Sequence, residues 1–182
     1  QDSAETDSLP NVLLVTVDSL RGDHVSSSVS DSKVKTPHFE AIAEDGVNFS
    51  NAHSQGPFTT FSMPSLFTSR YPSGLHYETH ADGRIVGVRI GAERTLTESF
   101  ADAGYVTGGF HSNPLLTELF NFDRGFDHFD ADQPVFADGV AGPGLWLTRV
   151  RRYLRKYAYL PAEQLTDKAT GWVDGRRQDA PF

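Results

Sequence analysis

Asn11-Val-Leu-Leu-Val-Thr-Val17 runs without a break into Asp18-Ser-Leu-Arg-Gly-Asp23. A short apolar run of this kind predicts a strand buried on both faces, as in a parallel sheet. Its end in Asp18 predicts a carboxylate at the strand's C-terminal tip, where open α/β sheets build their ligand sites. A second stretch, Gly56-Pro-Phe-Thr-Thr-Phe-Ser-Met-Pro-Ser-Leu-Phe-Thr-Ser-Arg-Tyr-Pro72, carries hydroxyl side chains in a loop entering a helix. A strand-end acid together with a hydroxyl at a helix entrance suits a metal-activated nucleophile. The plainer readings are a helix cap for Asp18 and an ordinary N-cap for the threonine.

Outward from these two stretches the chain keeps a βαβ rhythm. Thr36-Pro-His-Phe39 predicts a capped helix with proline in its first turn, Phe39, Ile42 and Ala43 on its apolar face, and Gly46 as its stop. Val47 to Ala52 then predicts a short strand, and Pro64 to Arg70 a short helix. Thr95 to Ala103 predicts another helix, with Thr95 and Glu98 placed as a capping box and Gly104 as terminator. Tyr105 to Phe110 predicts a strand with His111, Ser112 and Asn113 at its tip. Leu119 to Pro134 is aromatic and acidic, with Phe122-Asp-Arg-Gly-Phe-Asp127 reading as a loop, while Pro161 to Val173 reads as helix.

The final Asp179-Ala-Pro-Phe182 looks like the approach to a further strand. The expected organisation is a disordered tail over 1–9 and the N-terminal part of a larger α/β domain over 10–182. The expected fold class is doubly wound α/β, with a mostly parallel, incomplete sheet and helices on both faces.

A length of 182 residues with 38% hydrophobic content suffices for one α/β core. The absence of cysteine excludes disulfides, thiolate metal sites and cysteine nucleophiles. A net charge of −8 argues against general nucleic-acid binding, and no apolar stretch is long enough to span a bilayer. A soluble protein is expected, cytoplasmic if Gln1 lies near the true start, with its oligomeric state left open. Five basic residues, Arg149, Arg151, Arg152, Arg155 and Lys156, interleave with Leu147, Val150, Leu154 and Tyr157, which predicts an amphipathic helix with a solvated basic face.

An ordered series of segments resembles the N-terminal portion of the sulfatase family, in the alkaline-phosphatase-like superfamily. The series is Val15-Thr-Val-Asp18-Ser-Leu-Arg-Gly-Asp23, Thr36-Pro-His-Phe39, Gly46-Val-Asn-Phe49, Ser65-Leu-Phe-Thr-Ser-Arg-Tyr-Pro72, Leu96 to Thr107, and Gly125-Phe-Asp127. Each piece is weak alone; their order carries the likeness. The resemblance implies that Asp18 is a metal ligand and that the nucleophile opens the helix leading to Thr68-Ser69-Arg70. Counting back nine residues from Thr68 reaches Thr59, which the likeness makes both nucleophile and metal ligand. Ser62, in Ser62-Met-Pro-Ser-Leu66, and Thr60 are the alternative nucleophiles.

Departures from the family pattern bear on the substrate. Sulfatases proper use cysteine or serine matured to formylglycine, which threonine cannot become. Threonine is the nucleophile type of the phosphoglycerol and phosphoethanolamine transferases of the superfamily. Ser19 stands where the family carries a second Asp, and His111-Ser-Asn-Pro114 replaces the Gly-Lys-Trp-His that binds sulfate. Asp23 is expected to organise the loop after Asp18 rather than to bind metal.

The expectation is a metal-dependent hydrolase of small-molecule or glycan sulfate or phosphate esters, working through a covalent intermediate on Thr59. His111 and Asn113 are expected to bind substrate, and the cation to be Ca²⁺, Mg²⁺ or Mn²⁺ on oxygen ligands. The family's later ligands have no counterpart in Gly139 to Phe182, so the chain alone is expected to be an inactive fragment. The alternative is a non-catalytic, sulfatase-like anion-binding domain.

Overall fold

The computed structural model describes residues 9–25, 34–79, 81–83, 85–131, 160–176 and 180–182. The expected basic helix around Arg149 to Lys156 lies outside them, as do residues 1–8 of the expected tail over 1–9. The chain divides into two compact units, one of residues 1–13 and 56–182, the other of residues 14–55.

In the second unit, helix α1 (Pro37–Asp45) begins after Thr36 with Pro37 in its first turn and ends at Gly46. Thr36 occupies the N-cap position, but its side chain makes no capping bond. A single 3₁₀ turn spans Gly22–His24.

Two strand expectations are corrected here. Asn11 to Val17 has no regular secondary structure and belongs to no sheet, and Leu13 and Val15 are 76% and 71% exposed. The physical reason is pairing: among the described residues one backbone rung, Val12 N–H to Phe182 C=O at 2.5 Å, reaches this run. Apolar, β-branched composition favours a strand only where neighbouring strands and covering elements exist to pair and bury it. Val47 to Ala52 is likewise irregular, with Val47 and Phe49 exposed and a turn at Ser50–Asn51.

The first unit holds helix α2 (Thr59–Thr68), which starts five residues ahead of the expected helix. Pro64 caused the shift, because a proline suggests a first turn, yet here it lies inside the helix. The chain then makes a 3₁₀ turn at Pro72–Gly74 and a hairpin of β1 (Tyr77–Thr79) and β2 (Ile85–Val88). The pair is antiparallel in the register Tyr77↔Val88, with an irregularity between Glu78 and Thr79.

Helix α3 (Leu96–Asp102) has the expected capping box: Glu98 N–H donates to Thr95 Oγ1 and Thr95 N–H to the Glu98 carboxylate. It closes on Gly104 at φ +89°, with Tyr105 N–H reaching Phe100 C=O and the two rings 4.9 Å apart. This termination takes up Tyr105 and delays the strand, so β3 is Gly108–His111 rather than 105–110. A 3₁₀ turn at Glu118–Phe120 leads to β4 (His128–Ala131), which pairs parallel with β3 in the register Gly108↔His128. The strand follows directly on the expected loop Phe122 to Asp127 and had no counterpart in the sequence reading. Helix α4 (Ala162–Gly175) agrees with the expected helix to within two residues.

Both faces of the parallel pair are covered. On one, α4 sets Trp172 against Gly108 and 5.9 Å from the Phe110 ring, and Lys168 pairs with Asp130 at 3.0 Å. On the other, Phe126 and Phe129 close over Gly109, and Phe67 of α2 lies 6.2 Å from Phe126. Ile90, Phe120 and Phe122 form the fully buried core, joined by Met63, Phe67, Leu116 and Phe129. A helix laid on a small parallel sheet, beside a separate antiparallel pair, is mixed α/β structure with small, incomplete sheets.

Candidate active site

Thr59 is the first residue of α2, and Phe58 before it is the extended N-cap residue, with no side-chain capping bond. Phe61 and Ser62 N–H groups both donate to Phe58 C=O, at 2.9 and 3.0 Å. Among the described residues the backbone N–H groups of Thr59 and Thr60, and their hydroxyls, have no hydrogen-bond partner. Two amides and two hydroxyls therefore stand at the positive end of a ten-residue helix dipole. The other hydroxyls of α2 turn inward along the helix. Ser62, Ser65 and Thr68 donate to the carbonyls of Phe58, Phe61 and Pro64, at 3.1, 2.8 and 2.7 Å. Thr59 sits at N1 rather than at the N-cap, so its side chain does not perform the capping that would explain it structurally.

His111 closes the C-terminal end of β3, its ring 5.1 Å from Phe129. Both ring nitrogens are shut off from water and make no hydrogen bond of good geometry. Burial pushes the imidazole down to about 4, against weaker opposing pulls from the Asn113 backbone and Asp130. The ring is thus neutral at physiological pH. Asn113 follows in the loop and accepts Leu115 N–H on its side-chain oxygen at 2.9 Å, a local turn bond.

Asp18 belongs to the second unit, in a turn with Ser19 at φ +59°. Ser19 Oγ donates to its carboxylate at 3.3 Å. Asp23 instead pairs with Arg21 and His24, and hydrogen bonds from Arg21 above all hold its carboxyl well below the usual carboxylate range. It organises its own loop, as expected. The first unit carries Thr59, Thr60, Ser62, His111 and Asn113; the second carries Asp18.

For a divalent cation the donor set is thin. Among the described residues no three His, Asp or Glu side chains lie together so as to hold a metal ion. One carboxylate and one hydroxyl do not make the six or more oxygen ligands of a calcium site. These residues by themselves do not fit a resident metal. The sequence reading missed the unpaired amides of Thr59 and Thr60, because backbone donors carry no residue-type signal.

Hydroxyls at a helix entrance and an imidazole at a strand tip mark a layered α/β domain with polar groups at its element ends. Within that class the chain belongs to the sulfatase family, whose profile matches residues 10–182. It is similar to an arylsulfatase of Clostridium perfringens, 32% identical over 111 residues, 58% of this chain and 21% of that protein. An N-acetylgalactosamine-6-O-sulfatase of Bacteroides thetaiotaomicron is 31% identical over 108 residues, 59% of this chain and 21% of that protein. An N-acetylglucosamine-6-O-sulfatase of the same organism is 23% identical over 177 residues, 95% of this chain and 29% of that protein. The chain thus spans less than a third of the length of these relatives. No solved structure matches it.

Proposed function

We propose that the protein to which this chain belongs hydrolyses sulfate esters of sugars or other small alcohols, with Thr59 as nucleophile. The observation that carries the choice of Thr59 is its position at N1 of α2 with an unengaged hydroxyl, whereas Ser62 gives its proton to Phe58 C=O. The relatives' names support a sulfated sugar as substrate.

In the first step Thr59 Oγ1 bonds to sulfur, the bond from sulfur to the ester oxygen breaks, and the hydroxyl proton ends on the leaving alcohol. Water then attacks the sulfo-threonine, releasing hydrogen sulfate and restoring the hydroxyl. The free amides of Thr59 and Thr60 and the helix dipole favour an anionic group at this place in both steps. His111 and Asn113 are proposed substrate contacts, the neutral His111 serving as a hydrogen-bond partner rather than as a charge.

Asp18 is proposed as one ligand of a divalent cation such as Ca²⁺, Mg²⁺ or Mn²⁺, whose remaining ligands the described residues do not supply. Such an ion would supply positive charge for an anionic ester. The threonine also favours a second reading, a phosphoglycerol- or phosphoethanolamine-type transferase with the same covalent logic.

The test compares aryl sulfate with aryl phosphate diester turnover by the full-length protein, alongside Thr59→Ala. A sulfo adduct on the Thr59 peptide in quenched reactions supports the proposal. Preference for the phosphate diester overturns the sulfate reading. Full activity of Thr59→Ala overturns the nucleophile. Ligand binding without turnover of either ester by the native full-length protein would favour an anion-binding domain.

A further inference from the structure

An N-cap position ordinarily carries Ser, Thr, Asp or Asn, whose side chain takes one of the free N–H groups of the first turn. In α2 that position holds Phe58, with extended backbone at φ −127° and ψ 149°. A phenyl ring accepts no such bond. The N–H of Thr60, which a capping oxygen would reach, therefore has no partner among the described residues. The helix opens with an apolar ring where capping chemistry would place an oxygen, immediately before the hydroxyl of Thr59.

The ring is held from below. Phe58 C=O accepts Phe61 N–H at 2.9 Å, Ser62 N–H at 3.0 Å and Ser62 Oγ at 3.1 Å, which fixes its backbone. The Phe58 ring lies 6.1 Å from Phe61 at a tilt of 53°, and Phe61 lies 5.5 Å from Tyr77. Tyr77 is anchored in turn by its hydroxyl, which donates to Pro72 C=O at 2.5 Å. Gly56 makes room for Phe61, since a Cβ there would stand 2.5 Å from Phe61 Cβ. Three rings thus step from β1 to the entrance of α2, the inner two half-buried and Phe58 65% exposed. A lone exposed ring needs no explanation in general. This one occupies a capping position and ends a packed series of rings beside the proposed nucleophile.

We propose that Phe58 is a specificity-determining residue, the platform on which the ring of the substrate's alcohol lies while the ester group meets the Thr59 and Thr60 amides. This rests on the reading of Thr59 as the reacting group and adds to it the class of alcohol, a cyclic one. A pyranose presents a face of C–H bonds and an aryl group a π face. Either removes apolar area from water against a phenyl ring, and a short acyclic chain removes less. Because Phe61 and Tyr77 hold Phe58 before substrate arrives, the contact costs little ordering. Tyr71, also exposed, follows the opposite end of α2, about 15 Å along the helix axis, and cannot serve the same ester.

The test measures binding by calorimetry to the full-length protein carrying Thr59→Ala, so that the ester is bound and not consumed. The probes are glucose 6-sulfate and propyl sulfate, both sulfated on a primary alcohol and differing in the ring. With Phe58 in place the cyclic ester is expected to bind about tenfold more tightly. Phe58→Ala is expected to remove that preference and Phe58→Trp to keep it. Phe58→Leu, which retains apolar bulk on α2 and loses the flat face, is expected to lose the preference in a folded protein. An unchanged preference in Phe58→Ala or Phe58→Leu overturns the proposal. An equal loss for both esters overturns it too, because Phe58 would then only support α2, as does equal or absent binding of the two esters with Phe58 in place. Turnover of the same esters by the native protein tests the sulfate reading separately. Ring preference without turnover overturns hydrolysis and leaves the platform standing; turnover without ring preference does the reverse.

Discussion

Thr59 and Ser62 lie one helical turn apart in α2, and their hydroxyls have opposite fates. The Ser62 proton is held by Phe58 C=O, while the Thr59 hydroxyl has no partner among the described residues. In the full-length protein Thr59→Ala is expected to lower kcat on the order of 10⁴-fold or more, as loss of a nucleophile does. Ser62→Ala is expected to change it by less than about tenfold; the reverse ranking in steady-state kinetics would move the nucleophile to Ser62.

His111 makes the residue scale pH-dependent. Its folded pKa of about 4 lies below the ordinary 6.5. Between those values the unfolded chain binds more protons, so stability rises with pH across that window. The contribution is complete above pH 6.5, is lost progressively as pH falls toward 4, and amounts to roughly 3 kcal/mol at most. Urea unfolding between pH 4 and 7 is expected to show this slope in the native chain and a flatter one in His111→Leu.

The entrance to α3 is the best-determined element, because sequence and tertiary contacts agree there. Beyond its capping box, Thr95 Oγ1 reaches Arg124 C=O at 3.3 Å, and the half-buried Arg124 guanidinium holds both oxygens of Glu98. The Thr95 N–H and then Arg124 hold the Glu98 carboxyl below its ordinary value. Gly125 sits over this entrance at φ +82°, where a Cβ would lie 2.4 Å from Glu98 N. Gly125→Ala is expected to cost roughly 3 kcal/mol or more in equilibrium unfolding, through strain and backbone collision together. Thr95→Ala, which removes the cap, is expected to cost about 1 kcal/mol.

At β3 a Cβ on Gly108 would meet the Trp172 ring at 2.9 Å. Gly108→Ala is expected to destabilise the native chain, and much less so in a Trp172→Leu background. Additive effects in that double-mutant cycle would place the cost elsewhere. The elements that sequence reasoning missed have a common cause. β1 and β2 are short, and their clearest signal is the Asp82-Gly83 turn, with Gly83 at φ +81°. In β4 only Phe129 marks the strand, and its stability comes from pairing with β3 and from Phe126.

At the scale of the whole molecule, one carboxylate and one hydroxyl fall short of the six or more oxygen ligands of a calcium site. Since no three ligating side chains gather among the described residues, the 182-residue chain is expected to bind Ca²⁺ more weakly than about 100 μM by calorimetry. Tighter binding would show that this chain alone completes a site. No helix among the described residues is long and apolar enough to cross a membrane.

Local chemistry settled what the sequence could settle by itself. The capping box and Gly104 termination of α3, the Pro37 start of α1 and the span of α4 depend on contacts within a few residues. The family likeness depends on the order of its segments. Pairing and packing decided the rest. Only the tertiary structure shows that the apolar Asn11 to Val17 run has a single backbone rung among the described residues, because a strand is defined by its neighbours. Only the fold turns His128 to Ala131 into a strand and strips His111 of water and proton, because burial and sheet pairing arise between residues far apart in the chain.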